Sequence, residues 1–157
     1  MRQVLALFPV LCCALLLGGC GGDSASKDEF AQDVIAARND TDAGLSQIVE
    51  ATSLEDLLER MKSAAVEIRG AARDVRQAPA PGDLEEDRDL LAERLLALSD
   101  EIISTVETFE AFPDQAQATR ALNFEQWDNV QASLASLRSE GIDVPALGRH
   151  SAQDDGS

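Results

Sequence analysis

From Phe30 onward the apolar positions recur every three or four residues, in four trains separated by breaks. That spacing gathers apolar groups on one face of a helix turning every 3.6 residues. The first train is Phe30, Val34, Ala37, Leu45 and Ile48, with Thr41 in register. Ser26 followed by Glu29 fits a capping box at its start. Asn39-Asp40-Thr41-Asp42 and Gly44 are poor helix formers, and they predict a kink or break in the middle of this helix.

The second train, Leu54, Leu57, Leu58, Met61, Ala65, Ile68, Ala72 and Val75, comes after two hydroxyls, Thr52 and Ser53, either of which can cap. It ends at Ala78-Pro79-Ala80-Pro81-Gly82, where two prolines remove backbone donors and cannot continue a helix. Asp83 is placed to cap the third helix, whose face is Leu84, Leu91, Leu95, Leu98, Ile102, Val106 and Phe109. Leu90, Leu96 and Ile103 widen that face, so this helix should be the most buried. Pro113 ends it. The fourth segment is predicted to begin at Asp114, with Asn123 as a second start, and its apolar face is Phe124, Trp127, Val130, Leu134 and Leu137. Gly141 followed by Ile142 reads as the glycine stop and apolar contact of a Schellman motif. Val144, Pro145 and Leu147 are expected across the bundle end. Strand-like alternation is absent, and so are Asn-Gly and Asp-Gly hairpin pairs. Short connections between long amphipathic helices favour antiparallel neighbours. The expected fold is all-α, an up-and-down antiparallel bundle of three to four helices over 27–147, with a disordered tail at 148–157.

The amino terminus has a different pattern. Arg2 is followed by an apolar run from Val4 to Leu17, and then by Gly18, Gly19 and Cys20. As a helix the run would reach about 20 Å, short of a bilayer core of about 30 Å, and Pro9 interrupts it. A basic start, a short apolar stretch and small residues at its end are the parts of an export signal. Leu17-Gly18-Gly19-Cys20 resembles the lipobox of bacterial lipoproteins. The resemblance implies that the Cys20 thiol receives a diacylglycerol and that the chain is cut just before it. Residues 1–19 would then be a signal peptide, and 20–26 the lipidated cysteine with a flexible tether. A retained short anchor or an ordinary secretory signal are the competing readings. Cys12 and Cys13 fall in the removed segment, so the mature chain would keep one cysteine and form no internal disulfide. Gly21 rather than Asp after the acylated residue resembles the outer-membrane sorting pattern, should the source have two membranes.

The stretch from Thr52-Ser53-Leu54-Glu55-Asp56-Leu57 through Ala78-Pro79-Ala80-Pro81-Gly82-Asp83-Leu84 also resembles small exported helical proteins of high-GC Gram-positive bacteria. That resemblance supports a bundle facing outward, and it brings no active site.

Charge narrows the function. The 157 residues hold 13 Lys and Arg against 29 Asp and Glu, a net charge of −16. Such a surface repels nucleic acid and anionic headgroups, which excludes nucleic-acid partners and leaves membrane attachment to the acyl chains. Lys62, Arg69, Arg73 and Arg76 form a basic stripe on the second helix, ahead of the acidic run Glu85, Glu86, Asp87, Asp89 and Glu93. An antiparallel turn near Ala80 predicts pairs Arg76 with Glu85 or Glu86, Arg73 with Asp89, and Arg69 with Glu93. Each exposed pair is worth only about 0–1 kcal/mol, so their role would be to set register.

The inventory is poor in catalytic groups. The sole histidine is His150, in the presumed tail, and the sole mature cysteine is the acylation site. Neither nucleophile–base catalysis nor a zinc site can be assembled from that stock, and no catalytic residue, metal ligand set or cofactor is expected. Asp40 with Asp42, and Glu85 to Asp89, could hold a hard cation, but acids at helix starts are ordinarily solvated. The Gly44-to-Glu50 spacing mimics an EF-hand loop, yet Ala43 falls at its fifth position and cannot ligate calcium. Phe109, Phe112, Phe124 and Trp127 cluster around Pro113 and are the candidate lining of a ligand pocket, against the commoner role of closing a bundle core. The expected function is a non-enzymatic lipoprotein on the extracytoplasmic face of the cell membrane, binding or scaffolding a protein partner or a second copy of itself. The alternative is a solute- or cation-binding accessory module for transport or sensing.

Overall fold

The computed structural model describes residues 26–114 and 122–148. These comprise four long helices, α1 (Lys27–Val49), α2 (Leu54–Gln77), α3 (Glu85–Ala111) and α4 (Glu125–Ser139), and no strand is present among the described residues. Consecutive helices pack in sequence order, α1 on α2, α2 on α3, and α3 on α4. The arrangement is the up-and-down antiparallel bundle expected. The leader, Leu17, Gly18, Gly19, Cys20 and the tether up to residue 25 lie outside the described residues, as does 149–157 with His150.

The start of α1 is the capping box: the Ser26 hydroxyl accepts from Glu29 N, and the Glu29 carboxylate accepts from Ser26 N. The expected break near Asn39–Gly44 does not occur, because α1 is continuous from Lys27 to Val49. Two local interactions and one packing contact hold the weak stretch. The fully buried Thr41 hydroxyl donates to Ala37 O at 2.8 Å, and Arg38 pairs with Asp42 at 3.4 Å one turn on. Gly44 is buried where α1 crosses α2, and a Cβ added there would meet Ala64 Cα at 3.3 Å. Propensity was overridden by tertiary packing, and the glycine serves close approach. On the other side of α2, the buried Ser99 hydroxyl of α3 donates to Ala65 O at 2.8 Å and pins the two helices together.

Ser53 caps α2, accepting from Asp56 N. Asp83 does not cap α3. The N-cap is Leu84, fully buried, and the turn is closed by Leu84 N donating to Pro81 O at 2.8 Å. Burial of Leu84 sets where the helix begins and turns Asp83 outward, where it pairs with Lys27 Nζ at 3.6 Å. Leu91, Leu95, Leu98, Ile102, Val106 and Phe109 are buried as expected, with α3 packed between α2 and α4, although α2 is equally central between α1 and α3. Leu96 and Ile103 are partly buried, but Leu90 is exposed and does not widen the face.

The α2–α3 ion pairs differ from those predicted. Arg69 pairs with Asp100, not Glu93, and Lys62 pairs with Glu110. Arg73 and Arg76 are exposed and make no ion pair among the described residues. Helical side chains lean toward their own N-terminus. In an antiparallel hairpin a cation on α2 therefore leans away from the turn, while an acid on α3 leans toward it. They meet further from the connector than the backbone register suggests.

The α4 helix ends as expected. Gly141 has φ 89°, Ile142 N donates to Leu137 O at 3.0 Å, Gly141 N donates to Arg138 O, and Ile142 is buried. From there a closing strap, 142–148, runs beside α1 instead of across the bundle end. Its Ile142, Val144 and Leu147 enter the core, while Pro145 stays exposed. Arg38 on α1 donates to Ala146 O, Gln131 on α4 exchanges two hydrogen bonds with the Leu147 backbone, and Gly148 N donates to Asp42 Oδ1 at 2.7 Å. Gly148, expected as the first tail residue, thus belongs to the fold. The strap fills the seam between α1 and α4, which do not pack directly among the described residues.

Candidate functional site

The topology gives the bundle two unlike ends. At one end lie the start of α1, the α2–α3 connector and the finish of α4. Lys27 Nζ joins all three, donating to Glu140 O at 2.9 Å and pairing with Asp83. The opposite end carries the α1–α2 connection, the end of α3 and the start of α4.

At that opposite end a depression lies between the first turns of α2 and the last turn of α3. Leu54 and Leu58 form its floor, and Glu55, Glu59, Lys62 and Glu110 form its rim. Lys62 Nζ donates to Glu110 Oε1 at 2.6 Å, so the rim keeps two acids beyond that pair. Leu54 and Leu58 read in the sequence as part of the core stripe. They sit at the helix start, where the neighbouring helices run out, so their apolar faces are only partly covered. A heptad pattern carries no mark of that position, and sequence reasoning missed the depression.

The four aromatics expected around Pro113 are dispersed in their burial. Phe109 is a core residue, and Phe124 and Trp127 are partly buried against the core. Phe112 is 56% exposed at the C-cap of α3. None of them lines the depression over Leu54 and Leu58. Asn123 does not cap α4. Glu101 does so from α3, its carboxylate accepting from Glu125 N and Gln126 N, each at 2.9 Å.

Of the carboxylates weighed as cation ligands, Asp42, Asp87 and Asp89 have structural partners. Asp42 takes Arg38 and Gly148 N, Asp87 accepts from the Ser136 hydroxyl, and Asp89 accepts from Arg88. Among the described residues no group of three or more histidines, cysteines or acids is placed to hold a metal ion. Near the depression, the first turn of α2 is locked electrostatically. Asp56 accepts from Thr52 N at 2.9 Å and from Arg60 Nε at 2.6 Å, and Arg60 also reaches Gln47 O and Glu50. The Thr52 N–H, and after it the Arg60 side chain, hold the Asp56 carboxyl below its ordinary range. That network ties the α1–α2 turn together.

Chemically, the depression offers an apolar floor under a net-negative rim, suited to an apolar group that carries positive charge. It holds no nucleophile paired with a base. Comparison with protein-family models, with curated proteins and with solved structures returns no match.

Proposed function

We propose that the protein is an extracytoplasmic lipoprotein of a bacterial membrane whose bundle is a non-enzymatic binding or scaffolding module. The observation that carries this reading is Leu17-Gly18-Gly19-Cys20 closing an apolar run behind Arg2. The fold is consistent with it. The tether enters at Lys27, at the end shared with the α2–α3 connector and the finish of α4. An anchor on Cys20 would therefore hold that end toward the bilayer and turn the Leu54–Leu58 depression and exposed Phe112 outward, toward a partner. No described helix is long and apolar enough to cross a membrane. In this reading the acyl chains alone retain the domain, since a surface of net charge −16 is repelled by anionic headgroups.

The test is mass spectrometry of the native N-terminus, with membrane fractionation of Cys20→Ser. A diacylglyceryl cysteine at position 20, and an uncleaved, unlipidated Cys20→Ser precursor, are expected. A native chain that begins at Met1 with a free thiol refutes the reading.

The depression favours a second reading, a cation- or solute-binding accessory module. Glu55 and Glu59 would face a cationic group whose apolar part rests on Leu54 and Leu58. Titration with an amphiphilic amine, compared between the wild type and Glu55→Gln/Glu59→Gln, separates the two readings. Saturable binding lost in the double variant supports the second, and no binding leaves the first.

A further inference from the structure

We infer that the outer flank of the α2–α3 hairpin is a self-association surface, which pairs with the same flank of a second copy around a two-fold axis parallel to the helices. On α2, Lys62, Val66, Arg69, Arg73 and Arg76 recur at spacings of three and four. Lys62 and Arg69 reach across to α3, which places this stripe on the α3 side of α2. Val66, in its middle, is 70% exposed, the most exposed large apolar residue described. On α3, Glu86, Asp89, Glu93 and Asp100 form the matching acidic stripe, all exposed, and Asp100 receives Arg69. The hairpin thus presents a basic stripe and an acidic stripe side by side on one face. Such a face is complementary to itself: a two-fold rotation sets the α2 of each copy against the α3 of the other.

Three considerations select a second copy as the occupant. The first is sign. Arg73 and Arg76 are exposed cations that make no ion pair among the described residues of a strongly acidic chain, and Glu86 and Glu93 are exposed acids on the neighbouring stripe of α3. The second is area. A helix of 24 residues gives a face about 36 Å long, and two helix diameters of ~10 Å make it about 700 Å², close to the ~800 Å² per partner of a standard interface. The third is direction. An axis along the bundle keeps both α1 starts at the same end, so two tethers could enter one membrane. Opposite charges fix orientation and partner more than affinity, so the dimer is weak and gains from confinement to a surface. The inference deepens the scaffolding reading but does not depend on acylation of Cys20.

The test is sedimentation of the full chain in detergent, with circular dichroism as the check on folding. Both chains carry net negative charge, so salt would screen repulsion together with attraction, and charge reversal is the informative variable. The wild type should show a concentration-dependent dimer. Arg73→Glu/Arg76→Glu and Glu86→Arg/Glu93→Arg should each weaken it at least ~tenfold, and an equimolar mixture of the two should recover a one-to-one dimer. All three share the same apolar N-terminal segment, so association through the detergent micelle would not distinguish them. A wild type that stays monomeric, reversals that leave the dimer intact, or folded variants that fail to pair when mixed would each overturn the inference.

Discussion

The carboxylate of Glu101, on α3, receives the backbone N–H of Gln126 in the first turn of α4 at 2.9 Å, while its other oxygen takes that of Glu125. The N-cap residue itself, Phe124, has no side chain able to accept, so the cap comes from another helix. An anion at a helix start also opposes the positive end of the dipole. Glu101→Ala should cost about 1 kcal/mol, in the range of other lost N-caps. Hydrogen exchange should show faster exchange at the α4 start than in α1. Unchanged protection at Glu125 and Gln126 would mean that water replaces the carboxylate without loss.

Leu95 is 2% exposed and faces the core from the middle of α3. Leu95→Ala should lower stability by about 2–5 kcal/mol in chemical denaturation. A loss under about half a kcal/mol would place α3 at the periphery of the packing.

Gly44 permits a close approach of α1 to α2 at Ala64. Gly44→Leu must displace the Ala64 backbone and should cost about 1–3 kcal/mol, the usual effect of overpacking. Gly70→Ala, on the open side of α2, meets nothing within 4 Å and should instead stabilise by about 1 kcal/mol through helix propensity. Thermal melts of the two variants should therefore move in opposite directions.

Asp56 gives a sign for the response to acid. Its carboxyl titrates below the ordinary 3.8 in the folded chain because Thr52 N and Arg60 bind the charged form. A lowered folded value means that stability is present above the unfolded value and is lost as pH falls through the folded one. The wild type should weaken as pH drops below about 4, and Asp56→Asn should flatten that limb while lowering the midpoint at neutral pH. Parallel acid limbs in the two proteins would remove Asp56 as a contributor.

The parts of the fold legible in the sequence were those fixed by local chemistry: the apolar faces, the Ser26–Glu29 box, the Ser53 cap, and the Gly141–Ile142 stop. Contacts between distant segments were not. The Asn39–Gly44 stretch reads as a break until Ala64 is placed beside Gly44, and Asp83 reads as a cap until the burial of Leu84 turns it away. Counting residues from the turn assigns Arg69 to Glu93 because it ignores the lean of helical side chains, which carries the pair to Asp100. For the candidate site, heptad periodicity shows which residues are apolar, not where a bundle ends. It therefore could not separate Leu54 and Leu58, over a depression, from Met61 in the core, or foresee that Phe112 would be exposed while Phe109 is buried.

The seam between α1 and α4 is filled by Ile142, Val144 and Leu147, which leave the ribosome after every helix they join. Until then Arg38, made more than a hundred residues earlier, lacks the Ala146 carbonyl to which it donates. Completion of this fold is thus tied to the order of synthesis, and a nascent chain stays unlatched while it is being threaded onward, a useful property in any polypeptide that must travel before it settles.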